Sequence, residues 1–140
     1  MIARARIAEV EKKNGGRLGV SIIDTQLNTR VEFRQNERFA MCSTFKFLAA
    51  ACVLSRVDQG KESLDRRVIY KADDVMPNSP VTKDHVADGM TVAELCEAAV
   101  TVSDNTAANL LLASYGGPAG WTAYARSLGD KVSRLDRKEP

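Results

Sequence analysis

The chain has 140 residues, 44% of them hydrophobic, enough to bury a core of its own and within the size of one domain. Its 20 basic and 18 acidic residues leave a net charge of +2 and are mixed along the chain, so there is no basic stripe for nucleic acid. No apolar run approaches the ~20 residues of a membrane span, and the opening MIARARIAEVEKKNGG has no apolar stretch of a secretory signal. The chain as written therefore reads as soluble, without a membrane, a polyanion partner or an export address.

In chain order, residues 2–13 carry a modest helix pattern stopped by Gly15 and Gly16. RLGVSIID alternates and is β-branched, TQLN has turn chemistry and TRVEF is a second strand, so residues 17–34 predict a β-hairpin. A lone hairpin is marginal in water and needs a wider sheet or a helix to lie on. The character changes after Arg38. Residues 43–59 predict a helix, apolar round most of its circumference, closed by Gly60 and therefore central and buried. TVAELCEAAVTV opens with a Thr91-x-x-Glu94 capping box and sets Val92, Leu95, Cys96 and Ala99 on one face. NTAANLLLASYGG is a further helix ending at Gly116 and Gly117, and Pro118 opens another that runs to Leu128 with Gly129 behind it. The composition shift near residues 38–42 places a domain boundary there, dividing the chain into 1–38, a helix and hairpin, and 39–140, a helical block.

Ser43 and Lys46 head the apolar run MCSTFKFLAAACVLSRV, and a buried lysine is costly unless something uses it. Three residues apart on a helix, the two side chains lie on one face and can touch. A serine hydroxyl needs a neighbouring base to act as a nucleophile, and a lysine in an apolar site can help to take its proton. The N-terminal turn of a helix also favours an oxyanion forming close by. Two plainer readings stand beside this one: Ser43 as a helix N-cap, and Lys46 extending along its stem to solvent. His85, the single histidine, lies in polar VTKDHVADG, so no Ser-His-Asp triad and no histidine-centred metal cluster can be built, and it reads as a surface residue. Trp121 reads as helix packing. The three cysteines, Cys42, Cys52 and Cys96, are an odd number, so at least one is free, paired outside the chain or buried as a small hydrophobe.

Further along, Ser103-Asp104-Asn105 sits between two predicted helices, and RLDRKEP brings Glu139 near the last residue, Pro140. Ser-x-x-Lys followed by Ser-Asp-Asn is a signature of class A β-lactamases and penicillin-binding proteins. With RLGVSIID, FAMCSTFKF, NSPVT, DGMTVAELCEAAVTVSDNTAANLLL, GGP and RLDRKEP in order, the chain resembles a class A serine β-lactamase along its whole length. The fold so implied is the α+β, β-lactamase/transpeptidase-like one, with residues 1–38 the N-terminal part of its α/β domain and 39–140 most of its all-α domain.

The resemblance implies β-lactam hydrolysis through a serine acyl-enzyme, with no metal and no cofactor, by a periplasmic or secreted enzyme that is a monomer when complete. Position by position, Ser43 resembles the acylated nucleophile and Lys46 the residue that tunes or shuttles its proton. Ser103 resembles the hydroxyl that passes a proton to the β-lactam nitrogen, and Asn105 the amide that binds the substrate's side-chain carbonyl and the lysine. Asp104 corresponds to a structural residue of that loop. Glu139 matches the carboxylate that activates the deacylating water; whether it or the lysine is the acylation base is disputed for the family. Asn78 falls where many members carry an aromatic lining the cleft mouth, a substrate-binding position. Cys42 precedes the nucleophile, and in carbapenem-hydrolysing members a cysteine there pairs with a later one, here outside the chain. Another family disulfide would join the positions of Ala50 and Cys96; Cys52 lies two residues on, about 200 degrees round the helix, which argues against a Cys52–Cys96 bridge.

The Lys-Thr-Gly strand that the family uses to hold the substrate carboxylate does not occur in these residues, so the resemblance covers about the first half of a β-lactamase. The expectation is that these 140 residues alone do not hydrolyse β-lactams efficiently. The other readings are a DD-peptidase-like enzyme that acylates without fast deacylation, against which Glu139 argues, and a non-enzymatic half that needs complementation.

Overall fold

The computed structural model describes residues 2–140, which form two compact units divided between Ala40 and Met41. In the first, helix α1 (Ile2–Asn14) precedes strands β1 (Val20–Asp24) and β2 (Thr29–Phe33), which pair antiparallel from Val20 opposite Phe33 to Asp24 opposite Thr29. The hairpin turn is closed by Asp24, whose Oδ1 accepts from the Gln26 and Leu27 backbone N–H groups, and Asn28 takes the left-handed conformation. Glu11 of α1 accepts from Arg34 at 2.8 Å and 3.1 Å and from the Leu18 N–H at 2.8 Å, tying the helix to both ends of the hairpin. Ile22 and Ile23 are both exposed, so the hairpin has apolar side chains with nothing on them.

The second unit is built round α2 (Phe45–Asp58), which follows a 3-10 turn at Cys42–Thr44. Around it lie α3 (Val92–Thr101), α4 (Asn105–Ala113) and α5 (Gly117–Ser127). The core is apolar and tightly filled: Ala49 and Val53 of α2 meet Leu95 and Ala99 of α3, Ala107, Leu111 and Leu112 of α4, and Trp121 and Ala125 of α5. Each fully buried leucine contributes about 1.5–3 kcal/mol. The helix ends follow the local chemistry. The Thr91 hydroxyl accepts from the Glu94 N–H while the Glu94 carboxylate accepts from the Thr91 N–H, the reciprocal cap predicted for α3. α2 ends with Gly60 at φ 67°, where the Gly60 N–H reaches the Val57 carbonyl and the Lys61 N–H the Arg56 carbonyl.

The predicted burial of α2 is one-sided. Phe45, Lys46, Ala49, Ala50, Cys52 and Val53 are buried, but Phe47 is 69% exposed and Leu54 47%, because α3, α4 and α5 cover a single face. A two-residue strand pair, β3 (Arg67–Val68) with β4 (Met90–Thr91), was not foreseen; too short to show a period of two, it leaves no sequence pattern.

Candidate active site

Between α2 and α4 the chain brings a buried lysine against the ends of three separate segments. Lys46, on the first turn of α2, is 1% exposed, so the reading in which it extends to solvent does not hold. Its Nζ lies 3.4 Å from Ser43 Oγ, 3.0 Å from Ser103 Oγ, 2.8 Å from the Ser103 carbonyl, 2.5 Å from Asn105 Oδ1 and 3.2 Å from Glu139 Oε1. Of the six residues predicted for catalysis and substrate binding, Ser43, Ser103, Asn105 and Glu139 thus converge on Lys46, while the Asn78 side chain reaches the Ser103 carbonyl instead.

Ser43 sits inside the 3-10 turn, and neither it nor Thr44 gives a side-chain cap to α2; the Thr44 hydroxyl instead donates to the Met41 carbonyl. The N-cap reading of Ser43 therefore fails. Its hydroxyl faces Lys46 from an exposed position at the positive end of the α2 dipole, where the Thr44 and Phe45 N–H groups are taken up by the Met41, Cys42 and Ser43 carbonyls of the 3-10 turn. Cys42, just before it, is an exposed free thiol with φ 46°, a conformation that side chains seldom adopt and that turns the chain sharply into the serine.

Ser103 also has a left-handed backbone, φ 58°, and this turn is what aims both its carbonyl and its hydroxyl at Lys46. The next residue holds the turn. Asp104, 0% exposed, caps α4 through the Ala107 N–H at 2.9 Å and receives the Val81 N–H, the Thr82 N–H and the Thr82 hydroxyl at 3.0, 3.0 and 2.8 Å. Burial pushes its carboxyl up, but these hydrogen bonds outweigh burial and hold it below the usual aspartate range. The segment that supplies those donors wraps the whole turn: the Met76 N–H and the Ser79 hydroxyl meet the Thr106 hydroxyl, and the Pro77 carbonyl accepts from Asn105 Nδ2 at 2.9 Å. With its Nδ2 fixed, Asn105 must present Oδ1 to Lys46.

Glu139 is held by its main chain. Asn109, one helical turn beyond Asn105 on α4, accepts from the Glu139 N–H at 2.9 Å and donates to the Glu139 carbonyl at 3.0 Å. Sequence reasoning missed Asn109; the signal was an asparagine at i+4 from Asn105, on the same face of an otherwise apolar helix. Trp121 does pack in the core, and its Nε1–H also donates to the Phe45 carbonyl at 3.0 Å, fixing the turn of α2 between Ser43 and Lys46.

Asn78 lies exposed beside the Ser103 turn and His85 is on the surface. Cys52 is buried and Cys96 half-buried, both as free thiols, and burial pushes Cys96 up to about 11. Among the described residues, no group of His, Cys, Asp and Glu could hold a metal ion, and no helix is long and apolar enough to cross a membrane.

A family model described as the beta-lactamase enzyme family matches residues 3–140. Among solved structures, an ancestral class A β-lactamase, designated GNCA, is 64% identical, with a TM-score of 0.96 over 98% of this chain and 53% of its own. The last common ancestor of Gram-negative bacteria class A β-lactamase, GNCA4, is 62% identical, with a TM-score of 0.97 over 100% of this chain and 53% of its own. PenP from Rhodopseudomonas palustris, assigned to class A, is 59% identical, with a TM-score of 0.97 over 99% of this chain and 53% of its own. The chain thus spans about half the length of the structures it matches.

Proposed function

The chain belongs to the class A β-lactamases, and on that premise we propose that its helical unit carries the acylating and deacylating residues of a β-lactam hydrolase. The observation that carries the reading is the contact of one buried lysine nitrogen with Ser43 Oγ, Ser103 Oγ and Glu139 Oε1 together.

The chemistry follows from those contacts. Ser43 Oγ attacks the β-lactam carbonyl carbon as its proton passes toward Lys46 or Glu139, and the positive end of the α2 dipole favours the oxyanion that forms. The carbonyl carbon–nitrogen bond then breaks. Ser103 Oγ, 3.0 Å from Lys46 Nζ, delivers the proton to the departing nitrogen and is reprotonated from the lysine. The product is an ester on Ser43 with the ring open. Glu139 next takes a proton from a water, which attacks the ester; the serine regains its proton and the acid leaves. Asn105 keeps Lys46 in place and offers its amide edge to the substrate.

The placement of Glu139 favours hydrolysis over a DD-peptidase that stays acylated, since a carboxylate beside Lys46 is positioned to serve a water at the ester. Periplasmic or secreted work and a role in antibiotic resistance go with this reading. Efficient turnover calls for the remaining half of the fold, because the groups that would grip the substrate carboxylate are not among these residues. The test is hydrolysis of a chromogenic cephalosporin by the chain alone, and by the chain joined to the remaining half of the GNCA enzyme, hereafter the completed enzyme. Turnover by the completed enzyme, abolished in Ser43→Ala, supports the reading. Turnover undiminished in Ser43→Ala, or none from a completed enzyme with native circular dichroism, overturns it.

A further inference from the structure

Asn78 has a left-handed backbone, φ 57°, facing the equally left-handed Ser103. Asparagine accepts this conformation better than other residues with a Cβ. Two hydrogen bonds leave it for the same turn. Its backbone carbonyl accepts from the Asn105 N–H at 3.1 Å, and its side-chain Nδ2 donates to the Ser103 carbonyl at 3.4 Å. One residue thus grips both neighbours of Asp104. The Ser103 carbonyl is also the acceptor of Lys46 Nζ at 2.8 Å, and a carbonyl oxygen has two lone pairs, so Asn78 and Lys46 take one each.

We propose that Asn78 is a positioning residue for acylation: its amide fixes the direction of the Ser103 carbonyl, and that carbonyl in turn fixes Lys46 between Ser43 and Ser103. The inference rests on the proposed β-lactam acylation, and assigns Asn78 a role through Ser103 in place of a contact made only with substrate. It also accounts for a polar, left-handed residue at the mouth of the site, where packing demands neither property.

Variants separate the amide from the backbone. Asn78→Gly keeps the left-handed turn without strain and removes the amide; Asn78→Asp keeps the size and removes the donor. Two readouts are taken on the completed enzyme. The backbone 15N shift of Asp104 reports hydrogen bonding at the carbonyl of the same peptide group, Ser103, and needs no substrate. The concentration dependence of Ser43 acylation by a penicillin, followed by intact mass, splits the limiting rate from apparent affinity. The expectation is a displaced Asp104 15N signal in both variants, with the limiting rate down about fivefold, the size of one modest hydrogen bond, and the affinity little changed. An unmoved Asp104 signal overturns the proposal, as does a loss confined to affinity, which would make Asn78 a substrate contact. If the unaltered completed enzyme shows no Ser43 adduct, the acylation reading falls on its own count, while the Asp104 signal still decides whether Asn78 orients the carbonyl.

Discussion

Lys46 Nζ stands 3.2 Å from Glu139 Oε1, joining the first turn of α2 to the segment after α5 with Lys46 1% and Glu139 18% exposed. Such a pair is weak grounds for stability, because desolvation offsets most of the attraction. What the pair does is place a carboxylate beside the amine that meets the Ser43 hydroxyl. Replacing Lys46 by alanine is expected to slow acylation of the completed enzyme by about 10²–10⁴-fold, the usual share of a proton-transfer group. Stopped-flow measurement of the acylation phase checks this, and a rate within a few-fold of the parent would remove Lys46 from the proton path.

Asn109 holds Glu139 by two hydrogen bonds to its main chain. Asn109→Ala frees that backbone and is expected to slow deacylation about tenfold or more, since a tenth of the rate corresponds to about 1.4 kcal/mol, the scale of one or two such bonds. Asn109→Asp keeps an acceptor for the Glu139 N–H and loses the donor to its carbonyl, so it should fall between alanine and the parent. Single-turnover kinetics that separate acylation from deacylation give the answer.

Asp104 ties stability to pH. Its carboxyl is held below the usual range in the folded chain, against about 3.9 when unfolded, so the unfolded state binds the proton more readily. The stabilisation is therefore fully present above about pH 4–5 and is lost as the pH falls through the folded value. Asp104→Asn should cost about 2–4 kcal/mol at pH 7, because its amide NH₂ must face backbone donors that now meet an oxygen. Urea unfolding at pH 7 and pH 3 should show that cost shrinking at the acid end.

Gly120 sets helix propensity against packing. Gly120 is the fourth residue of α5, and within a helix alanine is favoured over glycine by up to about 1 kcal/mol. A Cβ at Gly120, however, would lie 2.0 Å from the Tyr115 backbone carbonyl oxygen, which cannot turn aside. Overpacking of this kind costs about 1–3 kcal/mol, so Gly120→Ala is expected to lower the melting temperature. An increase would mean that the 115–120 segment shifts at little cost.

Local chemistry made most of the scaffold readable. The Thr91–Glu94 box, the Asp24 turn, Gly60 and Pro118 each act within a few residues, and the elements lie within a few residues of the positions they mark. Ser43 and Lys46 were legible as a pair because one helical turn joins them. Their meeting with Ser103, Asn105 and Glu139 had no such local signal and came from the family resemblance. What escaped was long-range: the winding of residues 76–82 round the Ser103–Thr106 turn, the grip of Asn109 on Glu139, and the indole bond from Trp121 to Phe45. Each joins polar groups that carry no periodicity. The exposed side of α2 was misjudged for a related reason: an all-apolar circumference says that a helix can be covered on every side, not how many neighbours these residues supply.

The division of labour between Ser43 and Glu139 is tested most directly by trapping the intermediate. The completed enzyme carrying Glu139→Gln is mixed with a penicillin, digested, and the adduct mapped by mass spectrometry. A single acyl group that persists on the Ser43 peptide, and is absent when Ser43→Ala is added, is the predicted result. An adduct on another residue, or one on Ser43 that hydrolyses as fast as in the parent, would contradict it.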